Sequence, residues 1–166
     1  MQSYNRPKLD IPKTNFEKAL DWTALIVFFS WIIYLIVIWS NLPAEVPGHY
    51  DAAGNITRMG SKWELIILPV IAGSLAIFLS FFEKHPEWHN YFNLNERNIE
   101  FQYKNSRLML NVLKNIMVFL FAAISWNTIK VGLGKAESLG FWFMPVFLAF
   151  IFIPMIFFIV RSIRHK

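Results

Sequence analysis

An all-α, polytopic membrane fold with four transmembrane helices is predicted by three observations. Of the 166 residues, 55% are hydrophobic; four apolar runs are each about 20 residues long, enough helix to cross a hydrocarbon core; and lysine and arginine gather on alternate sides of those runs. A soluble domain averages nearer ~45–50% apolar residues, and the mean hydropathy of +0.40 fits the membrane class. The spans fall at about residues 22–42, 63–82, 108–129 and 141–160 of a single membrane domain covering 1–166. The first run exceeds the ~7–15 residue core of a signal peptide, and Asn41-Leu42-Pro43-Ala44 is a poor cleavage site, so it is expected to stay in the mature chain.

Orientation follows from the basic residues. The N-terminal tail, second loop and C-terminal tail, the last with Arg161, Arg164 and Lys166, hold eleven lysines and arginines; the first and third loops hold four, Arg58, Lys62, Lys130 and Lys135. The positive-inside rule then predicts both tails and the second loop in the cytoplasm. Tryptophans 22, 39, 63, 126 and 142 sit near span ends, as an interfacial belt requires. The net charge of +5 is therefore read as orientation information and not as a nucleic-acid footprint. With no cysteine, disulfides and thiolate metal sites are excluded.

Along the chain, Pro7 and Pro12 delay the first helix, and Thr14-Asn15-Phe16-Glu17 fits a capping box that starts it. Within the span Tyr34 is read as a packing residue. In the first external loop, Glu45–Tyr50 reads as extended, Asp51-Ala52-Ala53-Gly54 as a type I turn, and residues 55–58 as the returning strand, with His49 bonding across the hairpin. Ser61-Lys62-Trp63-Glu64 fits a second capping box at the start of helix two. Pro69, Ala72, Gly73, Ala76 and Ser80 form a small-residue stripe for close helix packing.

Pro86 stops helix two at or before His85. Asn95 is expected to cap a third helix from Glu96, which projects into the cytoplasm before entering the membrane. Its polar side carries Glu100, Arg107, Asn111 and Lys114, with Glu100 and Lys104 as an i,i+4 pair. Lys114 and Asn115 lie about two turns inside the apolar run. Snorkelling back to the interface is one expectation for Lys114; facing the bundle, to hold an anionic group or pair with Glu100, is the other. The short third loop predicts antiparallel third and fourth helices, and helix four, rich in phenylalanine with Pro145 and Pro154, reads as mainly lipid-facing.

Motifs for catalysis are missing. No phosphate loop, serine elbow or His-Glu-x-x-His helix occurs, and the spans hold no acid besides Glu64, which weakens a proton-driven carrier. His85 and His89 have zinc-like spacing, but Pro86 lies between them and His49 is predicted across the membrane. No cofactor or metal is expected, and the chain is expected not to be an enzyme.

The stretch Leu42-Pro43 to Asn55, followed by Gly60-Ser61-Lys62, resembles the uncharacterised bacterial membrane domain known as domain of unknown function 1648, found at the N-terminal end of SdpI-type immunity proteins. Pro86-Glu87-Trp88-His89-Asn90-Tyr91 through Asn98, Glu100, Gln102 and Tyr103 is similar to a second segment of its longer members. The resemblance implies a multi-pass protein of the bacterial cytoplasmic (inner) membrane linked to toxin immunity or signalling. Two surfaces follow as candidates for binding a partner: an external one, of Pro47, His49, Asp51, Gly54, Arg58 and Lys62, and a cytoplasmic docking surface, of Asn90, Tyr91, Asn98, Glu100, Gln102, Tyr103, Arg107 and Lys114. The expected partners are a lipid bilayer and a peptide or protein, with a homo-oligomer as a further option. The alternative function is a transporter or an accessory subunit of a membrane complex, centred on Asn111, Lys114 and Asn115.

Overall fold

The computed structural model describes residues 6–165, so Lys166 lies outside the described residues. Four helices, α1 (Asn15–Ile38), α2 (Ile67–Glu83), α3 (Ile99–Gly132) and α4 (Phe143–Arg164), are long and apolar enough to cross a membrane, and a hairpin of β1 (Glu45–Tyr50) and β2 (Ile56–Ser61) separates the first two. The chain is a multi-pass membrane protein. Helix α3 packs against each of the other three helices, while α1 and α2 have little direct contact. At 1.5 Å per residue its 34 residues extend about 51 Å, well beyond a ~30 Å hydrocarbon core.

Sequence chemistry accounts for most boundaries. The capping box at Thr14 forms: Glu17 N–H donates to the Thr14 hydroxyl at 3.2 Å, and Thr14 N–H donates to the Glu17 carboxylate at 2.7 Å. Helix α2 ends at Glu83, ahead of Pro86. The second capping box does not form. Ser61 instead accepts from Trp63 N–H at the start of a 3-10 turn, Lys62–Ile66, because the Glu64 carboxylate is taken by Arg58 at 2.7 Å. The start of α3 also differs: Asn95 accepts from the N–H groups of Arg97 and Asn98 in a turn, and the α-helix begins at Ile99 rather than Glu96.

The hairpin is antiparallel, with Glu45 opposite Ser61 and Tyr50 opposite Ile56, and its register is irregular around Gly48 and His49. Asp51 closes the turn by accepting from Ala53 and Asn55 N–H, and Gly54 takes a positive φ of 81°. This turn is tied to the third loop, since Leu139 N–H donates to Gly54 C=O at 3.0 Å. Val46, fully buried, joins Leu35, Leu42, Leu65 and Ile129 in a core cluster under the hairpin. At the opposite end α3 and α4 run antiparallel: Gln102 donates to the C=O groups of Ser162 and His165, and Asn105 to that of Phe158. Tyr34 packs its ring on Trp126 of α3, with centroids 4.6 Å apart. The outward face of α4 leaves Phe150, Phe152, Ile153 and Phe157 exposed, the expected character of a lipid-facing surface.

Candidate functional site

Two ionic groups lie between the helices at the end of the bundle opposite the hairpin. In the outer one, Arg107 of α3 grips Glu17 of α1 through two N–H···O bonds of 2.8 and 3.1 Å, and its remaining N–H groups donate to the Ile11 and Pro12 carbonyls. This bidentate pair satisfies the guanidinium at the point where the N-terminal segment enters α1. Tail, α1 and α3 are joined in one contact.

Two turns farther along α3, Lys114 is 6% exposed, with Nζ 2.6 Å from Glu83 of α2, 2.9 Å from Asp21 of α1 and 3.1 Å from the Ser80 hydroxyl. Lys13 reaches the same two carboxylates, at 2.7 Å from Asp21 and 2.5 Å from Glu83. Asn111 and Asn115 complete the shell by donating to Asp21 at 2.8 and 3.0 Å. Two lysines therefore balance two acids in a contact that joins α1, α2 and α3. Burial disfavours the Lys13 charge, yet its bonds to Asp21 and Glu83 outweigh that and raise its pKa above the ordinary value.

A cavity of 640 Å³ opens beside this cluster, between α1, α2 and α3. Lys13, Asp21, Ser80, Lys84, Lys114 and Asn115 line its polar end, and Phe28, Phe29, Gly73, Ala76 and Val118 are among its apolar walls. A second, almost wholly apolar cavity of 590 Å³ continues along the α1–α2 seam to Trp39 and Trp63, sharing Phe28 and Gly73 with the first. The small-residue stripe of α2 serves both purposes: Pro69 and Ala72 are buried, whereas Gly73 and Ala76 widen the seam. Such a space, mostly apolar with a few convergent polar groups, has the size and lining of a ligand site.

Lys114 thus faces the bundle instead of snorkelling, and its acid partners are Asp21 and Glu83, not Glu100, which pairs with Lys104. Snorkelling loses because two carboxylates at contact distance satisfy the ammonium where it stands. Of the other residues suggested for docking, Asn98, Gln102, Tyr103 and Arg107 are buried, Tyr91 is half-buried, and Asn90 and Glu100 are exposed. Tyr103 stacks on Tyr91, whose hydroxyl donates to the Pro86 carbonyl at 2.6 Å; burial pushes the Tyr91 phenol above its ordinary pKa. That face of the protein is largely engaged with its own chain.

In the hairpin, His49 is exposed and bonds across to Thr57 at 2.6 Å. Arg58 pairs with Glu64, and Lys62 donates to the Trp39 carbonyl and lies over its ring. Pro47 and Gly54 are buried, and Asp51 is held below the ordinary carboxylate pKa by bonds from the Asn55 backbone and side chain. The two ends of the chain's polar equipment do not meet. His85 stacks on Trp88 and pairs with Glu87, while His89 lies 3.0 Å from both Ser106 Oγ and the Phe82 carbonyl, so these rings serve separate local contacts.

Glu17, Asp21, Glu83 and Lys13 were not foreseen as site residues. Asp21 and Glu83 fall one residue outside span limits drawn from hydropathy alone. The signal that reveals them is the polar side of α3, because a buried Arg107, Asn111 and Lys114 require acids on the facing helices.

Comparison with known proteins adds a partial match. An uncharacterised protein of Archaeoglobus fulgidus is 40% identical to the chain over 60 residues, 36% of this chain and 33% of that relative, so the match spans about a third of the relative's length. No solved structure matches. The match to a family model covers α1 from its third turn, the hairpin and the first turns of α2: residues 25–73 match DUF1648, a domain of unknown function.

Proposed function

We propose that the chain is a non-enzymatic membrane protein that binds a partner within the bilayer, and that the cavity between α1, α2 and α3 is the binding site. The observation that carries this reading is the union of a buried, charge-balanced cluster with an apolar cavity of 640 Å³. Ionisable groups held inside a membrane domain mark functional sites by default. The polar end suits a single anionic group, the walls suit an aliphatic or aromatic body, and the whole suits an amphiphile. Both tails, and with them the cluster, are proposed to lie on the cytoplasmic side of the cytoplasmic membrane, where the basic segments belong. Immunity or signalling, which the SdpI-type resemblance implies, would then act through capture of such a molecule.

The test is titration of purified, delipidated protein with a fluorescent fatty acid, dansyl-undecanoate. Saturable binding is expected, and it should weaken at least about tenfold when Lys114→Met is combined with Glu83→Gln, a change that keeps charge balance while removing the anchor; tenfold corresponds to about 1.4 kcal/mol. Absence of saturable binding by the wild type overturns the reading.

A second reading, transport or an accessory role in a membrane complex, is favoured by one observation. Lys13, Asp21, Glu83 and Lys114 form one network of ion pairs at the mouth of an open cavity. Flux through reconstituted vesicles that falls in Asp21→Asn supports it; flux equal to empty vesicles removes it.

A further inference from the structure

We infer that the cavity beside Lys114 is a site for one monoanionic diacyl phospholipid drawn from the leaflet at the tail end of the bundle. This deepens the proposed function and rests on it, because it assigns the amphiphile to the surrounding lipid itself. Three observations converge on that occupant.

The first is charge. Lys13 and Lys114 are balanced by Asp21 and Glu83, but Lys84, which also lines the cavity, is exposed and pairs with no carboxylate among the described residues. The mouth therefore carries one surplus positive charge, the complement of a single phosphodiester. Its position at the C-terminal end of α2 sets that charge at headgroup level, where basic side chains attract anionic lipid.

The second is depth. From Lys84 to Gly73 is eleven residues of α2, or about 16 Å along the helix axis, and half of a ~30 Å hydrocarbon core is roughly 15 Å. The floor lies at Gly73, where an added Cβ would stand 3.3 Å from the Phe28 ring; that ring closes the seam between the two cavities. The cavity is thus one leaflet deep, with its charge at the headgroup and its floor at the midplane.

The third is access. Leu25, Phe29 and Ile77 line the cavity and are themselves exposed, Ile77 at 76%, and α1 and α2 have little direct contact beside them. A chain can enter sideways from the bilayer, without crossing the ionic cluster.

The experiment reconstitutes the full chain in vesicles of equimolar phosphatidylglycerol and phosphatidylcholine, extracts it in mild detergent, and measures retained lipid by native mass spectrometry. One phospholipid per protein is expected, enriched in phosphatidylglycerol. Lys84→Ala, at an exposed and unpaired position, should lower that enrichment about fivefold, and Ala76→Phe, which fills the cavity, should abolish the adduct with no fall in melting temperature. A wild type without a stoichiometric adduct, a preference for phosphatidylglycerol unaltered in Lys84→Ala, or an undiminished adduct in a folded Ala76→Phe protein overturns the assignment. Saturable dansyl-undecanoate binding without a phospholipid adduct leaves the binding reading standing and removes this one; failure of both removes both.

Discussion

Replacing Lys114 by methionine removes a charge at nearly constant side-chain length, and the structure sets the consequence. Lys114 and Lys13 together face Asp21 and Glu83 across contacts of 2.5–2.9 Å. After Lys114→Met the two acids share Lys13 alone, and Glu83, at 1% exposure, has no water with which to spread its charge. Removing one member of a buried pair costs about 3–5 kcal/mol, since the remaining charge stays desolvated. At roughly 2–4 °C per kcal/mol for a chain of this length, the melting midpoint in detergent falls by about 6–20 °C. Adding Glu83→Gln leaves Lys13 facing Asp21 and restores balance, so the double variant returns to within about 4 °C of wild type. Thermal unfolding followed by circular dichroism measures both. A single variant that loses less than about 2 °C, or a double variant less stable than the single, refutes the reasoning.

Two further predictions concern acid sensitivity and threading. Burial holds the His89 imidazole below its ordinary pKa, although the Phe82 carbonyl and Glu87 pull the other way. The unfolded chain therefore binds the proton more readily, and the contribution of neutral His89 is full above the ordinary histidine pKa and lost as pH falls through the folded one. Melting midpoints taken from about pH 8 to about pH 5 should decline, with a shallower decline in His89→Gln; identical slopes contradict the assignment. Because the chain has no cysteine, His49→Cys and Asn90→Cys report topology directly. A membrane-impermeant maleimide should label position 49 on intact cells and position 90 only after permeabilisation; the reverse pattern inverts the orientation.

Much of the fold is legible in the sequence because its causes are local or compositional. Four apolar runs of bilayer length, Pro86 as a stop, Thr14 and Glu17 as a cap, and the Asp51–Gly54 turn each depend on a few adjacent residues. Glu64 was misread because a capping box competes with Arg58, six residues back, and that outcome depends on how the hairpin folds over the helix start. The site was half legible. Arg107, Asn111 and Lys114 announce a polar face on α3, but their partners lie about 30 to 90 residues away and outside the hydropathy limits of the spans. The cavity could not be read at all, since it arises from α1 and α2 both packing on α3 and leaving a seam between themselves.

The most direct measurement is an experimental density map of the protein in phosphatidylglycerol nanodiscs, with a rigid antibody fragment added for size. The account predicts an elongated feature running from Lys84 and Lys114 to the Phe28 ring, between separated α1 and α2 helices. Side chains of α1 and α2 interlocked along that seam, with no volume between Ala76 and Phe29, would contradict it.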